Sequence, residues 1–386
     1  MHRIQTMKIL FGIFLVVALI NVVNYALKNL ENLFEEKKEK EKSIKYLVYS
    51  CDHCGGWADR LKGILSSYVM AEILNRKFII EFKQPCPLEN IIDPNHVKWN
   101  ERIVEKYNED NSFKIDFGYR IDLIKWLEKI DVLNLTDKKY LRLTGGIMFS
   151  DAFVKNEHVT ARLRELDYEP SKLYLPNHLH RWYTELFKLP SQMKSNYDEF
   201  KKKVKGAKLI CAQVRVGSST GGKSQDEHFM PRQNARLYWE FMRREFLEKQ
   251  NMNRSEYKVF VTSDQEDVKV EAAKYFGADR VLYNADSSYH FDRDFRQEND
   301  LRCKTLQKVL YDFQLMGLCD AIVVSHSGFG LFGAFNRKDP YKNLFVYTFK
   351  DQKDLEKDLS KIIWNRKNKE LEFRRVKNLQ TDLYFI

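Results

Sequence analysis

Four short stretches bring together residue types suited to holding a phosphorylated ligand. Gly55-Gly-Trp-Ala-Asp-Arg-Leu-Lys-Gly63 puts glycines ahead of a helical pattern. Free amides and the positive end of a helix favour anions there, so Gly55, Gly56, Asp59 and Arg60 are candidate cleft residues. Leu209-Ile-Cys-Ala-Gln-Val-Arg-Val-Gly217 is an apolar, β-branched run that ends on Gln213 and Arg215. Cationic groups at the carboxyl end of a strand are where open α/β sheets bind ligands, and a guanidinium grips phosphate oxygens in pairs. The plain alternative is a core strand whose Arg215 pairs with an acidic neighbour. Phe260-Val-Thr-Ser-Asp264 is a third strand ending in small polar residues. Asp264 reads equally as a ligand contact or as the cap of the next helix. The fourth combines Asp312 with Ser325-His-Ser-Gly-Phe-Gly330, small residues after a strand that suit a phosphate or a base.

Each stretch needs a strand-to-helix junction to position it. Tyr46–Ser50 reads as a strand, Trp57–Leu74 as a helix and Phe78–Phe82 as the next strand. That is a βαβ unit, which implies a parallel pair with a right-handed crossover. The region after it is mixed, with helical patterns near 121–130 and 177–187. From Leu209 the alternation is cleaner: helix 232–249, strand 257–262, helix 266–276, strand 280–283, helix 301–318, strand 321–324, a turn and helix, strand 344–348, then a helical tail. Repeated βα units mean parallel sheets flanked by helices. The expected architecture is therefore α/β, two Rossmann-like domains at 46–205 and 206–386 facing a cleft, the GT-B arrangement of nucleotide-sugar transferases.

Composition sets the surroundings. With 386 residues and 44% apolar content the chain can fill two domains, and its net charge of +11 fits an anionic partner. Lys201, Lys202, Lys203 and Lys205 read as a solvated helix face, so nucleic acid is not expected. Ile9 to Leu27 carries no charge, follows Arg3 and Lys8, and is long enough to cross a bilayer. It reads as a transmembrane anchor behind a cytosolic tail (1–8); a cleaved signal peptide is the main alternative, against which stand the length of the run and the lack of a small-x-small cleavage site. Residues 28–45 alternate Glu and Lys as a stem. Anchor and stem together predict a single-pass type II protein of the Golgi or endoplasmic reticulum membrane with a lumenal catalytic domain. The sequons at Asn134 and Asn253 agree with that location. Of the six cysteines, Cys51 and Cys54 have the spacing of half a zinc site but no partnering pair follows, so metal is not expected. Cys86 reads as a disulfide partner for Cys51 or Cys54, and Cys211 and Cys319 as core residues.

Taken in order, these stretches resemble the fucosyltransferase superfamily, which includes the α1,2-, α1,6- and protein O-fucosyltransferases. Gly55 to Leu61 followed by Leu74-Asn-Arg76 is similar to its opening motif, Ala212-Gln-Val-Arg215 to its His-x-Arg motif, 260–264 to its second motif and 312–329 to its third. The resemblance implies a GT-B fold, GDP-fucose as donor, and inverting transfer without an obligatory metal to a glycan or glycoprotein hydroxyl. Arg215 then holds the β-phosphate and stabilises departing GDP. Asp312 reads the guanine N1 and N2 edge, and Gln213, Asp264, Ser325, Ser327, Gly328 and Phe329 complete the donor pocket. Asp59 falls where protein O-fucosyltransferases carry Asn. Asp226, ahead of Phe229-Met-Pro231, falls where α1,6-type enzymes have a proposed general base, with His228 a lesser candidate.

Departures from the pattern are informative. Gln213 replaces the motif's His, and Val216 and Ser218 replace the second Arg and the Asp of α1,6-type enzymes, which argues against core α1,6 transfer. Asp292-Arg-Asp294 has the form of a GT-A metal motif but follows no long apolar strand. The competing readings are a non-catalytic glycan- or nucleotide-sugar-binding protein and a transferase of another nucleotide sugar.

Overall fold

A computed structural model describes residues 28, 44–118, 120–217, 230–284, 299–349 and 371–378. The chain divides into two compact units, Met1–Lys45 and Tyr46–Ile386, and the second holds every described strand. Its first sheet contains β1 (Tyr46–Ser50), β2 (Lys77–Glu81), β4 (Ser112–Gly118) and β5 (Tyr140–Gly145), all parallel, in the order β2-β1-β5-β4. The two-residue strands β3 (Asp93–Pro94) and β6 (Phe187–Lys188) pair separately. The second sheet contains β7 (Lys208–Val214), β8 (Tyr257–Ser263), β9 (Val281–Leu282), β10 (Ala321–Ser325), β11 (Leu344–Phe349) and β12 (Leu371–Val376). Its order is β12-β11-β10-β7-β8-β9, parallel except for β12. The strands β1, β7, β8 and β10 are largely apolar and buried, as strands covered on both faces are.

The flanking helices are α1 (Trp57–Ile73), α2 (Ile121–Leu127), α3 (Thr160–Glu165), α4 (Leu175–Leu186), α5 (Ser191–Val204), α6 (Ala235–Met242), α7 (Glu266–Phe276), α8 (Asn299–Met316) and α9 (Gly328–Phe335). The α1 helix is buried on nearly every side, packed on the first sheet and against α4, α8 and α9. It ends where Asn75 turns left-handed at φ 50°, a conformation Asn tolerates at a helix terminus. At Gly63 a side chain is impossible, because a Cβ would lie 2.3 Å from the Gly145 carbonyl. The two sheets share one core: Trp57 and Tyr183 from the first half meet Phe313 of α8 at 6.4 and 5.1 Å.

Three expectations are corrected. Leu371–Val376 forms an antiparallel edge strand in place of the expected helical tail, because Phe373 stacks on Phe241 at 4.3 Å and on Tyr347 at 4.6 Å. The cysteines pair as Cys51–Cys54, Cys86–Cys303 and Cys211–Cys319, so Cys86 reaches α8 in the other half. The third concerns the membrane. Among the described residues no helix is long and apolar enough to cross one. The longest, α8, carries Asp300, Arg302, Lys304, Lys308 and Asp312, and each such charge opposes insertion by about 2.5–3.5 kcal/mol at a helix centre. Residues 9–27, the expected anchor, lie outside the described residues. With no spanning helix among those described, the anchor, the membrane partner and the type II Golgi placement are withdrawn.

Cys86–Cys303 closes a loop across 217 residues between the two halves. Replacing both cysteines with serine is expected to lower unfolding free energy by about 2–5 kcal/mol. Denaturant titration of oxidised protein and of the double variant measures this, and coincident curves would refute a structural role.

Candidate donor site at the carboxyl ends of β7, β8 and β10

The parallel order β10-β7-β8 brings the ends of three sequence-distant strands side by side, and with them the second, third and fourth stretches. Arg215 is the first residue beyond β7. Its amide donates to Ser325 Oγ at 2.8 Å, and its guanidinium Nε lies 3.5 Å from Asp264 Oδ2, with the side chain 24% exposed. Asp264 does more than pair with it. Oδ1 accepts from the Val216 amide at 3.0 Å and Oδ2 from the Gly217 amide at 2.9 Å. A carboxylate bonded in this way fixes the turn after β7 and aims Arg215. It is not a helix cap: Gln265 precedes α7, and the Gln265 amide bonds Ser263 Oγ instead.

Ser325 and Ser327 are both buried. Ser325 Oγ shares a hydrogen bond of 2.7 Å with the Tyr238 hydroxyl, whose titration burial pushes well above the usual tyrosine range. Ser327 caps α9 by accepting from the Gly330 amide at 3.3 Å, and donates to Gln213 Oε1 at 3.4 Å. Gln213 is buried against the same turn, and a Cβ on Gly330 would lie 2.3 Å from its Oε1. Gln213 thus braces the α9 start. Phe329 turns inward toward Phe313 at 6.3 Å, while Gly328 meets α1, where a Cβ would stand 3.2 Å from that of Ala58.

Asp312 lies deeper. Its Oδ2 accepts from Thr262 Oγ1 at 2.7 Å and from Lys308 Nζ at 2.8 Å, and both side chains of the ion pair are 3% exposed. Oδ1 is buried with no hydrogen-bond partner. One oxygen of the carboxylate expected to read guanine is thus engaged within the protein. Lys269 adds a further buried cation nearby, held by the Asn284 carbonyl at 2.8 Å and Glu266 at 2.6 Å. Burial, then the like charge of Lys308, push its ammonium below the ordinary lysine range.

The first stretch divides by side-chain direction. Arg60 is fully buried and donates to the carbonyls of Cys51, Gln84, Asp52 and Gly55 at 3.0, 2.9, 2.9 and 3.2 Å, with Phe82 beneath it at 4.4 Å. It organises the 51–55 loop and does not line the cleft as expected. Arg76 likewise binds the carbonyls of Thr136 and Lys138 at 2.6 and 2.8 Å. Asp59, one turn into α1, is 40% exposed and pairs with Lys62 Nζ at 2.9 Å. Gly55, at φ 81°, lets the loop pass over Asp59, and Gly56 faces open space. Lys62 and Lys308 are not among the residues that the motifs single out. The signal in the sequence for both is a carboxylate at helical spacing, Asp59 three residues before Lys62 and Asp312 four after Lys308.

Asp226, His228 and the Asp292-Arg-Asp294 triplet lie outside the described residues. Asn134 and Asn253 are exposed. The first donates to Asp131 at 2.7 Å, and the second forms a capping box with Glu256.

Two helix-flanked sheets, the first parallel and the second parallel except for β12, with charged groups gathered at the carboxyl ends of the second, define the α/β class of the GT-B type. The fold resembles that of an Arabidopsis thaliana FUT1 mutant in complex with GDP, with a TM-score of 0.54 over 79% of this chain and 70% of that one, at 12% identity. Weaker likenesses are to the fucosyltransferase NodZ from Bradyrhizobium (TM-score 0.47, 13% identity, 79% and 96% covered) and to POFUT1 in complex with GDP (0.42, 12%, 76% and 94%). No protein-family model and no curated protein matches the chain. The likeness to FUT1 is one of fold, that of a two-sheet α/β protein.

Proposed function

We propose that this chain transfers fucose from GDP-fucose, with inversion, to a hydroxyl of a glycan or glycoprotein. The observation that carries the reading is Arg215: partly exposed at the end of β7, tied through its amide to Ser325 and aimed by Asp264. In the reaction the acceptor oxygen bonds to C1 of fucose while the bond from C1 to the β-phosphate oxygen breaks. GDP departs with the electron pair, and Arg215 offsets the charge that develops on it, as a preorganised cation does at low reorganisation cost. The hydroxyl proton goes to a carboxylate, for which we propose Asp226. Asp312 Oδ1 is the oxygen left for the guanine edge, and Ser327 with the first turn of α9 accompanies the phosphates. Asp59 borders the acceptor.

The FUT1 likeness supports the fold on which this reading rests, and its bound GDP suggests the donor class. A cation at the β-phosphate would also serve a chain that only binds the nucleotide sugar, so turnover is what separates the two readings. The test is release of GDP from GDP-fucose across a glycan and peptide array, with chelator present. Release that depends on one acceptor class is expected. No release with any acceptor would leave a binding protein, and release with another GDP-sugar alone would change the donor.

A further inference from the structure

We propose that Lys62 is a second cation for the donor's diphosphate, supplied across the cleft by α1. The inference rests on the GDP-sugar reading and deepens it. The Lys62 side chain is 6% exposed, with its ammonium 5.9 Å from the centre of the Phe332 ring and 4.0 Å from where a Cβ on Gly328 would stand. Gly328 is the first residue of α9, directly after the Ser327 cap, and Ser327 joins Gln213 two residues from Arg215. The chain of contacts from Lys62 to Arg215 thus runs entirely through residues of the donor site.

The placement opposes the usual electrostatics of helices. The start of α9 carries partial positive charge, and cations are stabilised at the other end. Burying an ammonium there costs free energy unless an anion accompanies it. Asp59 supplies one carboxylate oxygen from the solvent side. A phosphate arriving at the α9 start meets the same ammonium and competes with Asp59 for it. The pair therefore sets phosphate affinity in opposite directions: Lys62 raises it and Asp59 lowers it. A merely structural pair, stapling α1 to α9, would instead make both residues favourable.

That difference in sign is the test. Calorimetry on the full chain compares GDP with GMP for wild type, Lys62→Met and Asp59→Asn. Losing a charge-assisted bond to phosphate predicts about 10- to 100-fold weaker GDP binding in Lys62→Met, with GMP much less affected. Asp59→Asn is expected to bind GDP several-fold more tightly. Equal loss for GDP and GMP in Lys62→Met, or unchanged GDP affinity, overturns the proposal. If Lys62→Met fails to fold, Asp59→Asn decides: a gain supports the proposal, and a loss or no change overturns it. A wild-type chain with no affinity for GDP refutes the functional reading itself, whereas wild-type binding with an indifferent Lys62 refutes only the role of Lys62.

Discussion

Arg215→Ala is expected to reduce turnover with GDP-fucose by about 10²- to 10³-fold, the usual consequence of deleting one preorganised donor at a developing charge. Its stability should change little. Asp264 keeps both backbone amide bonds, at 3.0 and 2.9 Å, when the guanidinium is gone, so the turn after β7 persists. Arg215→Lys should recover only part of the rate, since an ammonium restores the charge but not the paired geometry. Turnover and thermal unfolding measured on the same preparations separate the two effects. Turnover of Arg215→Ala at the wild-type rate would remove the residue from the chemistry and reinstate the plain reading, a strand-end arginine paired with Asp264.

Lys308→Met is expected to destabilise the protein by about 3–5 kcal/mol. Lys308 and Asp312 sit one helical turn apart on α8 at 2.8 Å, each 3% exposed, and removing the cation strips the buried carboxylate of its direct partner, leaving only the more distant Lys269 as counter-charge. Thr262 still donates to Oδ2 but cannot replace the charge. Asp312→Asn should cost a similar amount, because it leaves the buried Lys308 ammonium, with Lys269 nearby, without its carboxylate. Denaturant titration reads both losses, and a loss below about 1 kcal/mol for Lys308→Met would mean that the pair is hydrated in solution. The same variants bear on the base. Should Asp312→Asn keep its preference for GDP over UDP, Oδ1 has no part in reading guanine.

Much of the fold is legible in the sequence because its strands are short apolar runs bounded by glycine or polar residues. Tyr46–Ser50, Tyr257–Ser263 and Ala321–Ser325 form within a residue of where the pattern puts them, as does the helix Glu266–Phe276. Local pattern is enough there, since β-branched residues and a change of period mark such elements without help from distant contacts. The β4 and β5 strands carry no such signal. Lys114 and Asp116 interrupt the first and Arg142 the second; β5 forms by pairing with β1, and β4 by pairing with β5. The β12 strand is hidden for a related reason. Its six residues mix Glu and Arg with one aromatic ring, and pairing with β11 together with the Tyr238, Phe241 and Tyr347 rings around Phe373 makes it a strand.

The opening motif makes the same division at the level of single side chains. The sequence by itself put Gly55, Gly56, Asp59 and Arg60 at the start of a helix. Helical geometry alone gives neighbours such as Asp59 and Arg60 faces about 100° apart, but it does not say which face is buried. The tertiary structure decided that, turning Arg60 into the 51–55 loop and leaving Asp59 partly exposed with Lys62 beside it. It also decided which cysteines meet, because Cys86 and Cys303 come within 5.6 Å of each other, Cα to Cα, only after both sheets have formed and packed. What local order can specify, strand, turn and the carboxyl-end position of Arg215, was present in the chain. What depends on two distant segments arriving at one place, the pairing of Asp312 with Thr262 and of Lys62 with the start of α9, required the packed fold.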